Sequence, residues 1–169
     1  MAQSPDRYTD LQANTPPDDY DLRQGIEMLF FAYREFTGEA DQILDDFGFG
    51  RAHHRVIYFV GRHPDISVSE LLDILKITKQ SLSRVLSQLL KEQFIVQGMD
   101  TNDRRRRLLR LTVKGEKLEQ QLTVQQSRLL SAAFQDAGVD AVRGFEEVLR
   151  GIIDKNDYKW MTQASKNRE

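Results

Sequence analysis

The chain has no cysteine among its 169 residues, which excludes disulfide staples, thiolate metal sites, a cysteine nucleophile and a thiol redox switch. Histidine is nearly as scarce. Of the three present, His53 and His54 are adjacent, and neighbours on a helix project about 100° apart, so they do not converge on one ion. No metal site and no cofactor are expected. A Gly-rich phosphate loop is missing, and Ser67, Ser69, Ser81, Ser83 and Ser87 sit in helix-capping or helix-face contexts without triad spacing. No catalytic residues are assigned, and the chain reads as a non-enzyme. No apolar run approaches the roughly 20 residues that span a bilayer. The first twenty residues are polar and acidic around Pro16-Pro17 and lack a secretory leader pattern, which predicts a cytoplasmic protein with no membrane partner.

What the chain does have is charge, unevenly placed. The formal net charge is only -2, yet residues 1–47 hold 3 basic and 11 acidic groups while residues 79–117 hold 10 basic and 4 acidic ones. Such segregation gives a local field that draws phosphates to one face while the rest of the molecule repels them.

The basic stretch has an architecture of its own. Asn102 and Asp103 supply turn chemistry, Arg104, Arg105, Arg106 and Arg107 follow, and Leu109 and Leu111 then alternate with Arg110 at the period of a strand. This reads as a basic β-hairpin tip leading through Lys114-Gly115 into a helix. Four arginines on a hairpin tip reach outward, and phosphate is the commonest target of such groups; a solvated charge run is the other reading.

The preceding segment decides between them. Ser67-Val68-Ser69-Glu70 has capping-box spacing, and Val68, Leu71, Leu72 and Leu75 make one apolar face of a helix that ends at Ile77. Thr78 is a good N-cap for a second helix with Leu82, Val85, Leu86, Leu89 and Leu90 on its buried side. Its outer face carries Lys79, Gln80, Ser81, Ser83, Arg84, Ser87 and Gln88 and no acid, side chains of the kind that read base edges in a major groove. Helix, turn, acid-free helix and basic hairpin in that order predict a winged helix-turn-helix.

From about Arg51 to Leu118 the sequence resembles the MarR family of transcription regulators, whose wing has the form Asp-Arg-Arg followed by Leu-Thr-x-Lys-Gly, here Asp103 to Arg105 and Leu111 to Gly115. The resemblance implies a homodimer of mostly helical subunits, with the second helix in the major groove and a wing arginine in the minor groove. By position that arginine is Arg105, and Asp103 is the carboxylate that orients it. Many members place a Gly between recognition helix and wing strand, where this chain reads Glu92-Gln93-Phe94.

The expected fold is mainly α with a small β wing, the winged helix-turn-helix core being flanked by N- and C-terminal dimerisation helices. Residues 1–21 read as a disordered acidic tail. Residues 22–50 read as an N-terminal dimerisation helix, running from Leu22 to Asp46 and broken by Gly48-Phe49-Gly50. Residues 51–117 are the DNA-binding domain, which opens with a helix from Arg51 to Gly61. Residues 118–165 hold the C-terminal dimerisation helices, one from Gly115 to Asp136 and one from Val139 to Gln163. Their apolar stripes exceed what a core of about 65 residues can cover; a second copy would cover them, and folding back on one subunit is the alternative.

The function so predicted is a homodimeric, sequence-specific DNA-binding transcription regulator, a repressor released by a small-molecule effector, on a pseudo-palindromic double-stranded operator. The expected DNA contacts are Lys79, Gln80, Ser81, Ser83, Arg84, Ser87, Asp103, Arg104, Arg105, Arg106 and Arg107. The family's effector crevice implies walls from the first two helices here, with Phe31, Arg34, Thr37, His54 and Tyr58 around a small aromatic or carboxylate-bearing molecule. Phe30 and Tyr33 serve either this lining or the plain core. A structural, nucleoid-type DNA-binding protein without effector is the alternative from another class, and an enzyme with an appended winged helix is the third.

Overall fold

Each helix start in the middle of the chain uses the side chain that the sequence supplies for it. Ser67 Oγ accepts from the Glu70 N–H at 3.2 Å and the Glu70 carboxylate accepts from the Ser67 N–H at 2.8 Å. That reciprocal box opens α3 (Val68–Leu75). Thr78 Oγ1 accepts from the Ser81 N–H at 3.2 Å and opens α4 (Lys79–Lys91). Between them α3 stops before the expected Ile77, because Lys76 turns left-handed at φ 50° and donates its N–H to the Leu72 carbonyl.

The computed structural model describes residues 19–100, 103 and 106–166, with the backbone alone for 163–166. Most of the expected acidic tail, and the wing residues Arg104 and Arg105, therefore lie outside the described residues. Helix α1 (Asp19–Asp45) begins earlier than Leu22: Asp19 and Asp21 complement its positive end, and Asp19 pairs with Arg23 at 2.8 Å one turn on. α2 (Arg51–Arg62) follows the glycine break as expected.

Three strands form one antiparallel sheet in the order β1-β3-β2, with β1 at Ile66–Ser67, β2 at Ile95–Met99 and β3 at Arg107–Leu111. β2 and β3 are the wing, in register from Ile95 opposite Leu111 to Met99 opposite Arg107. β1 was not foreseen: two residues carry no period, and they pair only through Ile66 with Leu109 and Ser67 with Leu108.

The C-terminal helices depart from expectation in their ends. α5 (Val113–Ala137) is capped by Thr112, whose Oγ1 accepts from the Gly115 N–H at 3.1 Å, so Gly115 lies inside the first turn. α6 (Val139–Ile152) does not reach Gln163. Ile153 leaves the helix, the Asp154 carboxylate accepts from the Asn156 N–H at 2.9 Å to cap a short 3-10 turn (Lys155–Asp157), and α7 (Tyr158–Lys166) then runs on. Local aspartate-to-backbone bonding is a known competitor of helix continuation.

The chain divides into two compact units, residues 1–38 and 39–169. The first is described from Asp19 as helix alone. Within it Arg34 bonds Glu35 at 2.7 Å and lies 5.0 Å over the Phe31 ring, and Thr37 Oγ1 donates to the Tyr33 carbonyl at 3.0 Å. Its apolar residues Leu22, Ile26, Leu29, Phe30, Phe31 and Tyr33 are exposed, Ile26 to 67%.

The second unit holds the core. Val56, Ile57 and Val60 of α2 meet Leu71 of α3, Leu82 and Leu89 of α4, Phe94 and Ile95 at the start of β2, Leu109 of β3, and Leu118 and Leu122 of α5. Burying each of these stabilises by about 1.5 to 3 kcal/mol. α6, by contrast, has no buried residue, and Val148 and Ile152 are 63% and 65% exposed. Among the described residues no helix is long and apolar enough to cross a membrane.

Candidate nucleic-acid interface

Helix α4 sets its apolar side into the core through Leu82, Val85, Leu86 and Leu89 and leaves Lys79, Gln80, Ser81, Ser83, Arg84 and Ser87 exposed. The outer side chains are not equally available. Ser81 Oγ lies 2.8 Å from the Thr78 hydroxyl at the cap, and Ser87 Oγ donates to the Ser83 carbonyl at 2.7 Å. Lys79, Gln80 and Arg84 have no such bond among the described residues.

Gln88 behaves differently from its neighbours. His53 Nδ1 accepts from the Gly50 N–H at 3.1 Å, which places the ring proton on Nε2 and makes that nitrogen the donor to Gln88 Oε1 at 3.0 Å. Gln88 Nε2 donates in turn to Glu92 at 3.2 Å, and the His53 ring stacks on Phe49 at 4.7 Å. The amide is therefore a strut between α2 and the end of α4, and it is half-buried.

The Leu-Thr-x-Lys-Gly run closes the same end of α4. Thr112 N–H donates to the Phe94 carbonyl at 3.0 Å and Thr112 Oγ1 to the Gln93 carbonyl at 2.6 Å. Lys114 Nζ donates to the Glu92 carbonyl at 2.9 Å and sits 3.9 Å over the Phe94 ring. Gly115 packs so closely that a Cβ there would lie 2.1 Å from the Phe94 carbonyl oxygen. Every polar member of the motif thus grips Glu92-Gln93-Phe94. Gln93 itself takes φ 62°, the left-handed region that favours glycine, and it lies within the Glu92-Gln93-Phe94 stretch where the resemblance leads one to expect a glycine.

On the wing, Asp103, Arg106 and Arg107 are all exposed, and Arg106 also pairs back onto the domain. Its guanidinium lies 3.3 Å from the Glu70 carboxylate and 3.4 Å from that of Asp100. Arg110 makes a two-point contact with Asp65, which holds the Asp65 carboxyl below the usual carboxylate range. Glu70 is likewise held low: its bonds to Ser67 and the Arg106 charge outweigh the desolvation that acts against them.

The residues expected around an effector fall in both units: Phe31, Arg34 and Thr37 in the first, His54 and Tyr58 in the second. Burial depresses the His54 pKa, with Asp41 pulling it up and Arg55 pushing it down by lesser amounts. Within the second unit Tyr58 also lines a cavity of about 400 Å³ with Phe59, His63, Ile74 and Trp160. Its far wall comes from α7, which the sequence does not announce, because the apolar period reads as continuous through the break at Asp154 that turns Trp160 inward. Among the described residues no group of three or more His, Cys, Asp or Glu is placed to hold a metal ion.

Comparison with known proteins agrees with this geometry. The model of the MarR family matches residues 47–106. The HTH-type transcriptional regulator PetP of Rhodobacter capsulatus is 46% identical over 136 residues, 80% of this chain and 82% of that protein. The fold is similar to that of Streptococcus pneumoniae FabT in complex with DNA, with a TM-score of 0.70 at 16% identity, over 85% of this chain and 99% of that one. A MarR mutant from E. coli complexed with operator DNA gives a TM-score of 0.61 at 18% identity, over 82% and 100% of the two chains. The two solved structures speak for the fold; the identity to PetP and the family match decide membership. The chain belongs to the MarR family of transcription regulators.

Proposed function

We propose that this regulator acts as a homodimeric, sequence-specific repressor that a small molecule releases from DNA. The observation that carries the DNA part is the exposed face of α4, which has no acid and three polar side chains, Lys79, Gln80 and Arg84, without a bond among the described residues, beside a basic wing. Arg84 supplies the fork that matches O6 and N7 of a guanine, Gln80 the pairing suited to adenine, and the wing residues Asp103, Arg104, Arg105 and Arg107 reach the adjacent groove and backbone. Arg105 in a narrow minor groove would read its width, with Asp103 holding the guanidinium in place. FabT and MarR, solved on DNA, share the fold.

Dimerisation rests on the uncovered apolar residues of α1 and α6, within the expected flanking segments 22–50 and 118–165. A two-fold dimer places half-sites about one helical turn apart, 10 to 10.5 base pairs, in a pseudo-palindrome. An effector held by some of the candidate contacts Phe31, Arg34, Thr37, His54 and Tyr58 would act by favouring a conformation whose recognition helices are misplaced for DNA. A cytoplasmic location goes with this reading.

The deciding experiment is binding to the inverted repeats upstream of the chain's own gene and to scrambled duplexes of equal length, at several salt concentrations. An operator preference of about a thousandfold or more supports the specific regulator. Equal, salt-dominated affinity for both would establish the nucleoid-type alternative instead.

A further inference from the structure

We propose that Arg106 is a positioning residue that braces the wing against the first helix of the helix-turn-helix, and that it does not contact phosphate. The proposal rests on the DNA-binding reading above for its function but on this chain's own geometry for the brace.

The guanidinium spans two carboxylates on different elements. One nitrogen lies 3.3 Å from Glu70 Oε2 at the start of α3, and the other lies 3.4 Å from Asp100 Oδ2 at the end of β2. Neither carboxylate is a loose surface group. Glu70 is pinned by the Ser67 N–H at 2.8 Å in the capping box, and the Asp100 side chain is only 14% exposed. The Asp100 N–H donates to the Arg106 carbonyl at 3.2 Å and the Arg106 N–H to the Asp103 carbonyl at 2.9 Å, so the same residue closes the hairpin through its backbone.

A second tie lies four residues along. Arg110 grips Asp65, which sits at φ 66° in the corner before β1 and donates its N–H to the Leu109 carbonyl. The two arginines anchor β3 to opposite ends of the segment that runs from the α2 corner into α3. A wing so tied cannot swing without breaking charge-assisted bonds, and the direction of its tip relative to α4 is thereby preset.

Electrostatics separates this from a phosphate contact by sign. A guanidinium facing two carboxylates is locally over-neutralised and offers little attraction to a third anion. If Arg106 nevertheless held phosphate, Glu70 would be a repulsive neighbour of the DNA, and removing its charge would tighten binding. If Arg106 is a brace, the same removal loosens the wing and weakens binding.

The test compares the full chain with Arg106→Gln, Glu70→Gln and the double variant, on operator, between about 50 and 200 mM salt. Glutamine also completes a capping box, so Glu70→Gln keeps the start of α3. Half-exposed ion pairs contribute little to stability, so all three variants are expected to fold. Each single variant should weaken operator binding roughly three- to tenfold with the salt slope unchanged, and the double variant should lose no more than either single. A slope reduced by about 0.9 in Arg106→Gln, or tighter binding in Glu70→Gln, would overturn the brace. Should the unmodified chain bind no operator, the DNA reading fails by itself and hydrogen exchange at the Asp100 amide judges the brace alone. Faster exchange in both single variants upholds it; unchanged exchange rejects it.

Discussion

The middle of this molecule and its flanking helices treat their apolar residues in opposite ways. From α2 to the start of α5 most large hydrophobes are buried in the core or packed against it, and the polar groups around them are cross-tied by caps, struts and ion pairs. In α6 no residue is buried, and the described part of α1 before Gly38 exposes Ile26, Leu29, Phe30 and Tyr33. One chain suffices to build the winged helix-turn-helix, whereas the flanks carry an apolar surface that a single chain leaves in water. Substitutions should therefore act on stability in the first region and on assembly in the second.

The largest effect is expected at Gly115. A methyl group there meets backbone and not a yielding side chain, so Gly115→Ala should cost about 3 kcal/mol or more and lower the melting temperature by roughly 10 °C. An unchanged melting temperature would mean that the grip of α5 on Phe94 is looser than its geometry.

The opposite behaviour is expected on the flank. Val148→Asp, at a 63% exposed position, should leave circular dichroism and the folded core intact while shifting sedimentation from dimer to monomer. If the variant sediments as the parent chain does, this face of α6 is outside the interface.

Arg84→Ala tests the polar side of α4 without touching the core. It should weaken operator binding by about 1 to 3 kcal/mol and relax the preference at one base position. Equal losses on operator and scrambled DNA would make Arg84 a backbone contact.

Gln93 sharpens the contrast at the backbone level, because it directly precedes the buried Phe94 and is itself exposed. Its left-handed φ disfavours any side chain, while glycine adds unfolded-state entropy, so Gln93→Gly should gain about 0.5 kcal/mol, a rise of 1 to 2 °C. A fall in melting temperature would assign the glutamine side chain a stabilising contact.

The smallest effect is a pH slope from His54 and His63. Burial holds both below the usual imidazole value; at His63 the Arg62 charge adds to this and Glu70 opposes it. With folded pKa values depressed, the unfolded chain binds more protons, so stability is present above a pH of about 6.5 and falls as the pH drops below it. Melting curves between about pH 7.5 and 5.5 should show this decline, and the double variant His54→Gln/His63→Gln should flatten it; an identical slope would place the titration elsewhere.

The sequence made local features legible and distant ones not. Ser67 with Glu70, Thr78, and the alternation through Leu109 and Leu111 are decided within a few residues, and the helix-turn-helix and wing followed from them. Arg106 looked like one of four equivalent arginines because Glu70 lies 36 residues away and nothing in the run marks which arginine meets it. Gln88 looked like a reader until His53, from another helix, was found on its amide. The wing motif was recognisable as a pattern, but the role of Thr112, Lys114 and Gly115 appears only where the chain folds them back onto Phe94. The end of α6 is not legible in the sequence, because Val142, Phe145, Leu149 and Ile152 continue at helical spacing into Ile153 and the capping by Asp154 overrides that period.

The grip of Thr112, Lys114 and Gly115 on the residues just past the end of α4 also has a mechanical meaning. α5 is 25 residues long, roughly 37 Å, and its first turn is fastened to the point where α4 ends. It is a lever whose fulcrum is that joint. A displacement of about 3 Å at the far tip corresponds to a rotation of about 5° at the fulcrum, and a joint held by Thr112, Lys114 and Gly115 would pass that rotation on to the end of α4.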